Sequence, residues 1–196
     1  MSAVRRFTPE ATVGPFFPGA FVADAPQDLW TVAPLVAHHP QGQPIVLAAR
    51  FIDALKRPIP SLVVEVWQAN AHGRYRHPED CSSAPLDPQF DGFARLRTDD
   101  EGKLRFATIK PGAHSVRAPH LRLTIFASGI DRVVTQIFFD DEALNVTDPV
   151  LNGIPDSDVR RRLIARRVGE VDGVLGYGIE VVMRGDQETP FFDDWA

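Results

Sequence analysis

The chain has 196 residues, enough for one domain or at most two small ones. Its 21 Lys and Arg against 26 Asp and Glu leave a formal net charge of −5, which supports neither a nucleic-acid partner nor a membrane-surface one. A lone cysteine, Cys81, excludes an internal disulfide framework and any multi-cysteine zinc or iron–sulfur site, and no apolar run approaches the ~18 residues of a membrane span.

Residues 1–44 carry seven prolines. Each removes an amide donor and restricts the residue before it, so no long helix forms there. Phe16, Phe17, Phe21 and Trp30 favour burial over disorder. The segment is expected to be an N-terminal arm that wraps the core or reaches onto a neighbouring chain. Its prolines and charges also interrupt any signal-peptide core, and together with the single cysteine they point to the cytoplasm.

From residue 45 to 196 the sequence reads as one β domain. Ile45–Ile52 and Ser61–Gln68 are rich in β-branched and aromatic residues and flank a turn at Lys56–Pro60. Phe93–Arg97 and Leu104–Ile109 flank Asp99-Asp-Glu-Gly102, which predicts a hairpin with Gly102 at positive φ. His120–Ala127 and Val133–Phe139 flank Ser128-Gly129 and predict a second strand pair. Asp156–Arg167 has Val159, Leu163 and Ile164 at helical spacing and predicts the one helix. Tyr177–Met183 returns to strand. The sum is an all-β fold, an antiparallel β-sandwich with a Pro-rich arm and one short helix.

Four of the six histidines, His72, His77, His114 and His120, fall between positions 72 and 120, and Tyr75 lies among them in a turn after a strand. Phenolate oxygen suits ferric iron, and imidazole suits iron, copper or zinc; surface turns also carry His and Tyr with no metal at all. Strand period places His120, Arg122, Thr124, Phe126 and Ser128 on one face and Leu121, Leu123, Ile125 and Ala127 on the other. A His-x-His pair would offer two imidazoles to one metal, but the second place here is Arg122, a permanent cation with no lone pair. No phosphate loop, HExxH or Gly-x-Ser-x-Gly is present. The basic residues Arg160–Arg162, Arg166 and Arg167 read as a solvated face, and Asp140-Asp-Glu142 as a strand-ending turn more readily than an acid/base pair.

The run Leu62-Val-Val-Glu-Val-Trp-Gln-Ala-Asn-Ala-His-Gly-Arg-Tyr75, with Thr108-Ile-Lys-Pro-Gly112, Asp87-Pro-Gln-Phe90 and Thr12-Val-Gly-Pro-Phe16, resembles the intradiol ring-cleavage dioxygenases over most of residues 8–193. It departs from that signature at Ala49, where the family usually has glycine. The resemblance implies a non-haem Fe³⁺ held by two tyrosinates and two histidines. Matched motif to motif, Tyr75 takes the first tyrosine place and His114 stands in the second, while His120 takes the first histidine place and Arg122 replaces the second. These are vestigial ligand positions, and Tyr177, the other tyrosine, matches none.

The family's protocatechuate 3,4-dioxygenases pair an iron-bearing beta subunit with a homologous, iron-free alpha subunit. Ala118–Ile130, Phe139–Ala143, Asp148–Asn152 and Glu188–Asp193 resemble alpha. The resemblance then implies no metal in this chain, Fe³⁺ in a beta partner, and a large hetero-oligomer. Such an assembly would cleave protocatechuate with O₂ to 3-carboxy-cis,cis-muconate. Gly14, Pro15 and Phe16 would line the partner's pocket, and Ser128 stands where alpha subunits carry a pocket arginine. Two other readings of the residues remain: a self-sufficient metalloenzyme using Tyr75, His114 and His120, and a non-catalytic β-sandwich scaffold.

Overall fold

The computed structural model describes residues 40–127 and 131–192. Eight strands follow one another: β1 (Pro44–Ile52), β2 (Val63–Gln68), β3 (Phe93–Arg97), β4 (Lys103–Ile109), β5 (His120–Ala127), β6 (Asp131–Phe139), β7 (Ile164–Val171) and β8 (Val174–Val182). Two short helices, α1 (Pro149–Asn152) and α2 (Ser157–Arg161), and a 3-10 turn at Ala143–Val146 lie between β6 and β7. None of these helices is long and apolar enough to cross a membrane.

The hydrogen-bonded order is β3-β2-β5-β6-β7-β8-β1-β4. The seam between β6 and β7 consists of two residue pairs, Phe138↔Ile164 and Phe139↔Ala165. On either side of it stand two halves, β3-β2-β5-β6 and β7-β8-β1-β4, which bury a shared core. Leu47 and Phe51 of β1, Phe106 of β4 and Tyr177 of β8 meet Val64 of β2, Leu121 and Ile125 of β5 and Ile137 of β6 there. Removing this apolar surface from water is the main stabilising term. The all-β sandwich expectation holds, with one refinement: β1 runs parallel to β8, pairing Ile45↔Leu175 through Ile52↔Val182, so the sheet is mixed rather than wholly antiparallel.

Three elements depart from the sequence expectation. Asp99–Gly102 does form a tight turn, with Gly102 at φ 67° and its N–H donating to the Asp99 carbonyl. Yet β3 pairs with β2 and β4 with β1, at opposite ends of the order, so the turn is a crossing between halves and not a hairpin. A turn fixes only a local reversal; the apolar faces choose the partner. The helix expected over Asp156–Arg167 stops at Arg161, and Ile164–Val171 is a strand. Asp156 caps that helix through the N–H groups of Asp158 and Val159, but the pairing of Ile164 and Ala165 with β6 overrides helical spacing beyond it. Third, a helical segment is present at α1 as well, where Asp148 is the N-cap and Pro149 the first helical residue. By contrast, β5 and β6 form the expected antiparallel pair.

Candidate functional site

Along β5 the side chains alternate as expected: Leu121, Leu123 and Ile125 enter the core. The opposite face carries His120, Arg122 and Thr124, which line a cavity of about 590 Å³. Strand register builds its floor. Trp67 of β2, Arg122 of β5 and Gln136 of β6 form one transverse row, and Glu65 and Thr124 form the next. Trp67 is steadied by Phe93 of β3, its ring 4.4 Å away. Two long connections supply the walls, Tyr75, His77 and Asp80 between β2 and β3 and His114 and Arg117 between β4 and β5.

The Trp67–Tyr75 run owes its shape to Asn70. The Asn70 side-chain oxygen accepts from the N–H groups of His72 and Arg74, and its backbone carbonyl accepts from Gly73 and Gly112. One residue thereby ties the first connection to the second. Gly73 sits at φ 78°, and a Cβ there would lie 1.8 Å from the Ala113 carbonyl oxygen, so glycine is required by backbone conformation and by space. Buried Gln68 adds a second tie: it donates to the Ile109 carbonyl and accepts from the Thr108 hydroxyl. The Thr108–Gly112 motif is thus the seat of the His114 wall.

Tyr75, His114, His120 and Arg122, from separate parts of the sequence, meet in this one cavity. Both imidazoles donate Nδ1–H to backbone carbonyls, His114 to Gly73 and His120 to Ala118, each at 2.7 Å. A carbonyl only accepts, so each ring keeps Nε2 for the cavity when neutral. His120 Nε2 lies 3.4 Å from the Tyr75 hydroxyl, which donates to it. The Tyr75 and His114 rings meet edge to face at 5.1 Å. Burial pushes the Tyr75 phenol up to about 12 against the pull of Arg117 and Arg122, and burial lowers His120 to about 4. The pair is a neutral phenol on a neutral imidazole.

Charge is placed around that pair. Asp148, fully buried, accepts from Arg117 Nε and the Ala118 N–H on one oxygen and from Val150 and Leu151 N–H on the other. Burial alone would raise its carboxyl, but these donors hold it below the usual carboxylate range. Arg117 also reaches Gln136 and is thereby held against the floor. Asp80 accepts from the Tyr75 and Ser82 N–H groups, which outweigh burial and keep it ionised.

Among the other sequence candidates, Gly14, Pro15 and Phe16, with residues 1–39 of the arm, lie outside the described residues, as does Ser128. Tyr177 is a core residue whose hydroxyl donates to Asp141 at 2.9 Å. Asp141 and Glu142 both pair with Lys110 after β6, which makes that acidic run a strand-ending clamp. Arg162 caps the Asp186 and Glu188 carbonyls, and Arg161 pairs with Asp158. Sequence reading passed over Arg117, Asp148, Asp80 and Glu65 as site residues. Only for Asp148 is there a local signal, the Asp-Pro start of a helix. Arg132 of β6 lines this chain's own cavity.

Known proteins resemble this chain both in sequence and in fold. The family model described as Dioxygenase matches residues 14–185. The protocatechuate 3,4-dioxygenase alpha chain of Pseudomonas putida is 34% identical over 200 residues, covering 95% of this chain and 96% of that one. The beta chain of the same enzyme from Burkholderia cepacia is 41% identical over 162 residues, covering 77% and 68%. The solved intradiol ring-cleavage dioxygenase from Tetranychus urticae shares the fold at a TM-score of 0.63 and 18% identity, covering 95% and 100%. The chain belongs to the intradiol ring-cleaving dioxygenases, a family of oxidoreductases that uses iron.

Proposed function

We propose that this chain is the iron-free, alpha-type subunit of a protocatechuate 3,4-dioxygenase, working with a homologous beta subunit that holds Fe³⁺ in a large cytoplasmic hetero-oligomer. The observation that carries the reading is Arg122. It lines the same cavity as Tyr75 and His120, it takes the second histidine's place in the motif match, and a guanidinium has no lone pair and repels a metal ion. His114, in a tyrosine's place, removes the second anionic donor, so the donor set does not fit a ferric ion. The match to alpha chains along 95% of this chain supports the same reading.

In this reading the chain contributes position rather than redox chemistry. Gly14, Pro15 and Phe16 of the arm help wall the partner's pocket and exclude water from it, and Ser128, in an arginine's place, weakens the hold on an anionic ring substituent. The partner's Fe³⁺ supplies the activation of the diol towards O₂.

Metal analysis and visible absorption of the full chain purified alone test the proposal. The expected result is no stoichiometric iron and no tyrosinate-to-iron colour, with ring cleavage appearing only on adding the beta subunit. A stoichiometric coloured site that disappears in His120→Ala overturns it in favour of a self-sufficient metalloenzyme using Tyr75, His114 and His120.

A further inference from the structure

We propose that Asp87 and His72 form a latch that fixes the base of the N-terminal arm. They act as positioning residues for the pocket wall that the arm lends to the partner subunit. This rests on the alpha-type reading and adds to it how the arm is aimed.

The latch joins segments far apart in sequence. The Gln41 N–H donates to Asp87 Oδ2 at 2.7 Å, across 46 positions. The Gln41 side-chain oxygen accepts from His72 Nε2 at 2.9 Å, across 31 positions. Next along the chain, the Gln43 carbonyl accepts from the Lys110 N–H. Gly42 between them, at φ 123°, lies so close to the roof that a Cβ there would be 2.8 Å from that of Ala71. Residues 41–43 are thus held to both connections that cover the cavity, the one bearing His72 and Asp87 and the one beginning at Lys110.

The chemistry of Asp87 favours a role beyond its own turn. The residue is 4% exposed, and among the described residues its carboxylate has two donors, the N–H groups of Gln41 and Gln89. A buried charge is costly unless hydrogen bonds compensate it. The bond to Gln89 is a local turn that a neutral Asn or Ser would also make. The bond to Gln41 is the long-range one, and an ionised acceptor strengthens it.

Place in the fold decides what the latch secures. Residues 41–43 are exposed and precede the core, which begins at Ile45 of β1. That strand is already paired with β4 on one side and β8 on the other. The sandwich therefore gains little from the latch, and what is fixed is the point from which residues 1–39 leave. An arm with a fixed base has less freedom to lose when it docks, so its contact with a partner is stronger.

Reconstitution of the full chain with its beta subunit tests this, reading kcat and KM for protocatechuate beside the urea unfolding midpoint of the chain alone. Asp87→Ala should raise KM about fivefold, the size of one lost hydrogen bond, with kcat within about twofold of wild type. Asp87→Asn keeps an acceptor for the Gln41 N–H and should fall between the two. Gln41→Ala and His72→Phe, both at exposed positions, should each raise KM about threefold without moving the midpoint, and the double variant should be no worse than either alone. Unchanged KM in every variant, in a complex that turns over normally, overturns the latch and leaves the alpha-type reading standing. A KM rise that tracks a fall in midpoint across the variants also overturns it, because the role is then structural. If the wild-type chain forms no active complex with a beta subunit, the latch and the alpha-type reading fall together.

Discussion

The two halves of the β order share one core but differ on their outer faces. On β7-β8-β1-β4 that face is largely given to solvent: Ala48 and Arg50 of β1 and Lys103 of β4 are exposed, and a small patch of Val46 and Ala107 is covered by Val171 and Val174. Its chain reversal from β7 to β8 is the two-residue turn Asp172-Gly173. On β3-β2-β5-β6 the same kind of face is roofed by the connections that carry Tyr75 and His114, and it holds a cavity lined by charged and aromatic side chains. Identical strand alternation produced both faces. The connections, tied together at Asn70, Gly73 and Gly112, turned one of them into a site.

If that contrast is right, the roofed half depends on buried polar ties and the bare half does not. Asp148→Ala removes the partner of Arg117 and the cap of α1 and leaves a cation beside a buried gap, so it should cost about 4 kcal/mol in urea unfolding. A loss under 1 kcal/mol would mean that the roof does not need this tie. Leu123→Ala, on the core side of β5, should cost about 3 kcal/mol, as large-to-small core changes do.

The buried imidazole gives a pH test of the same half. His120 has its folded value lowered to about 4, against about 6.5 unfolded, so the unfolded state takes up the proton first as the medium is acidified. Stability from this group is fully present above pH 6.5, falls as pH drops towards 4, and amounts to roughly 2 to 3 kcal/mol. Comparing chemical unfolding at pH 7 and pH 4.5 for wild type and His120→Gln checks it; equal slopes would sink the assignment. On the bare half, Arg105→Ala breaks an exposed ion pair with Asp172 at 2.8 Å and should change stability by no more than about 0.5 kcal/mol.

Much of this was legible beforehand, for identifiable reasons. The strands at Ile45–Ile52, Phe93–Arg97 and His120–Ala127 declare themselves through β-branched runs and alternation, and the structure places them at those positions within a residue. The alternation along β5 correctly separated Leu121 and Leu123 from His120 and Arg122. By contrast, β7 was hidden, because Asp156–Arg167 has real helix-start chemistry and apolar residues at helical spacing. Its marker is Asp172-Gly173, whose positive φ values of 54° and 78° give the tight hairpin turn to β8.

Residue chemistry alone decided that Arg122 cannot ligate a metal, since a guanidinium lacks a lone pair wherever it lies. It also decided that only two tyrosines exist to offer phenolates, Tyr75 and Tyr177. Local pattern set most strands, because period and side-chain branching act over a few residues. Tertiary structure decided what adjacency in sequence does not encode: that β3 and β4 part into opposite ends of the order, and that Tyr177 joins the core and Asp141. It alone brought Tyr75, His114, His120 and Arg122 to one cavity and seated Arg117 on Asp148. These residues lie up to 47 positions apart, from Tyr75 to Arg122, and meet only when two connections are locked across a sheet whose inner face is already buried.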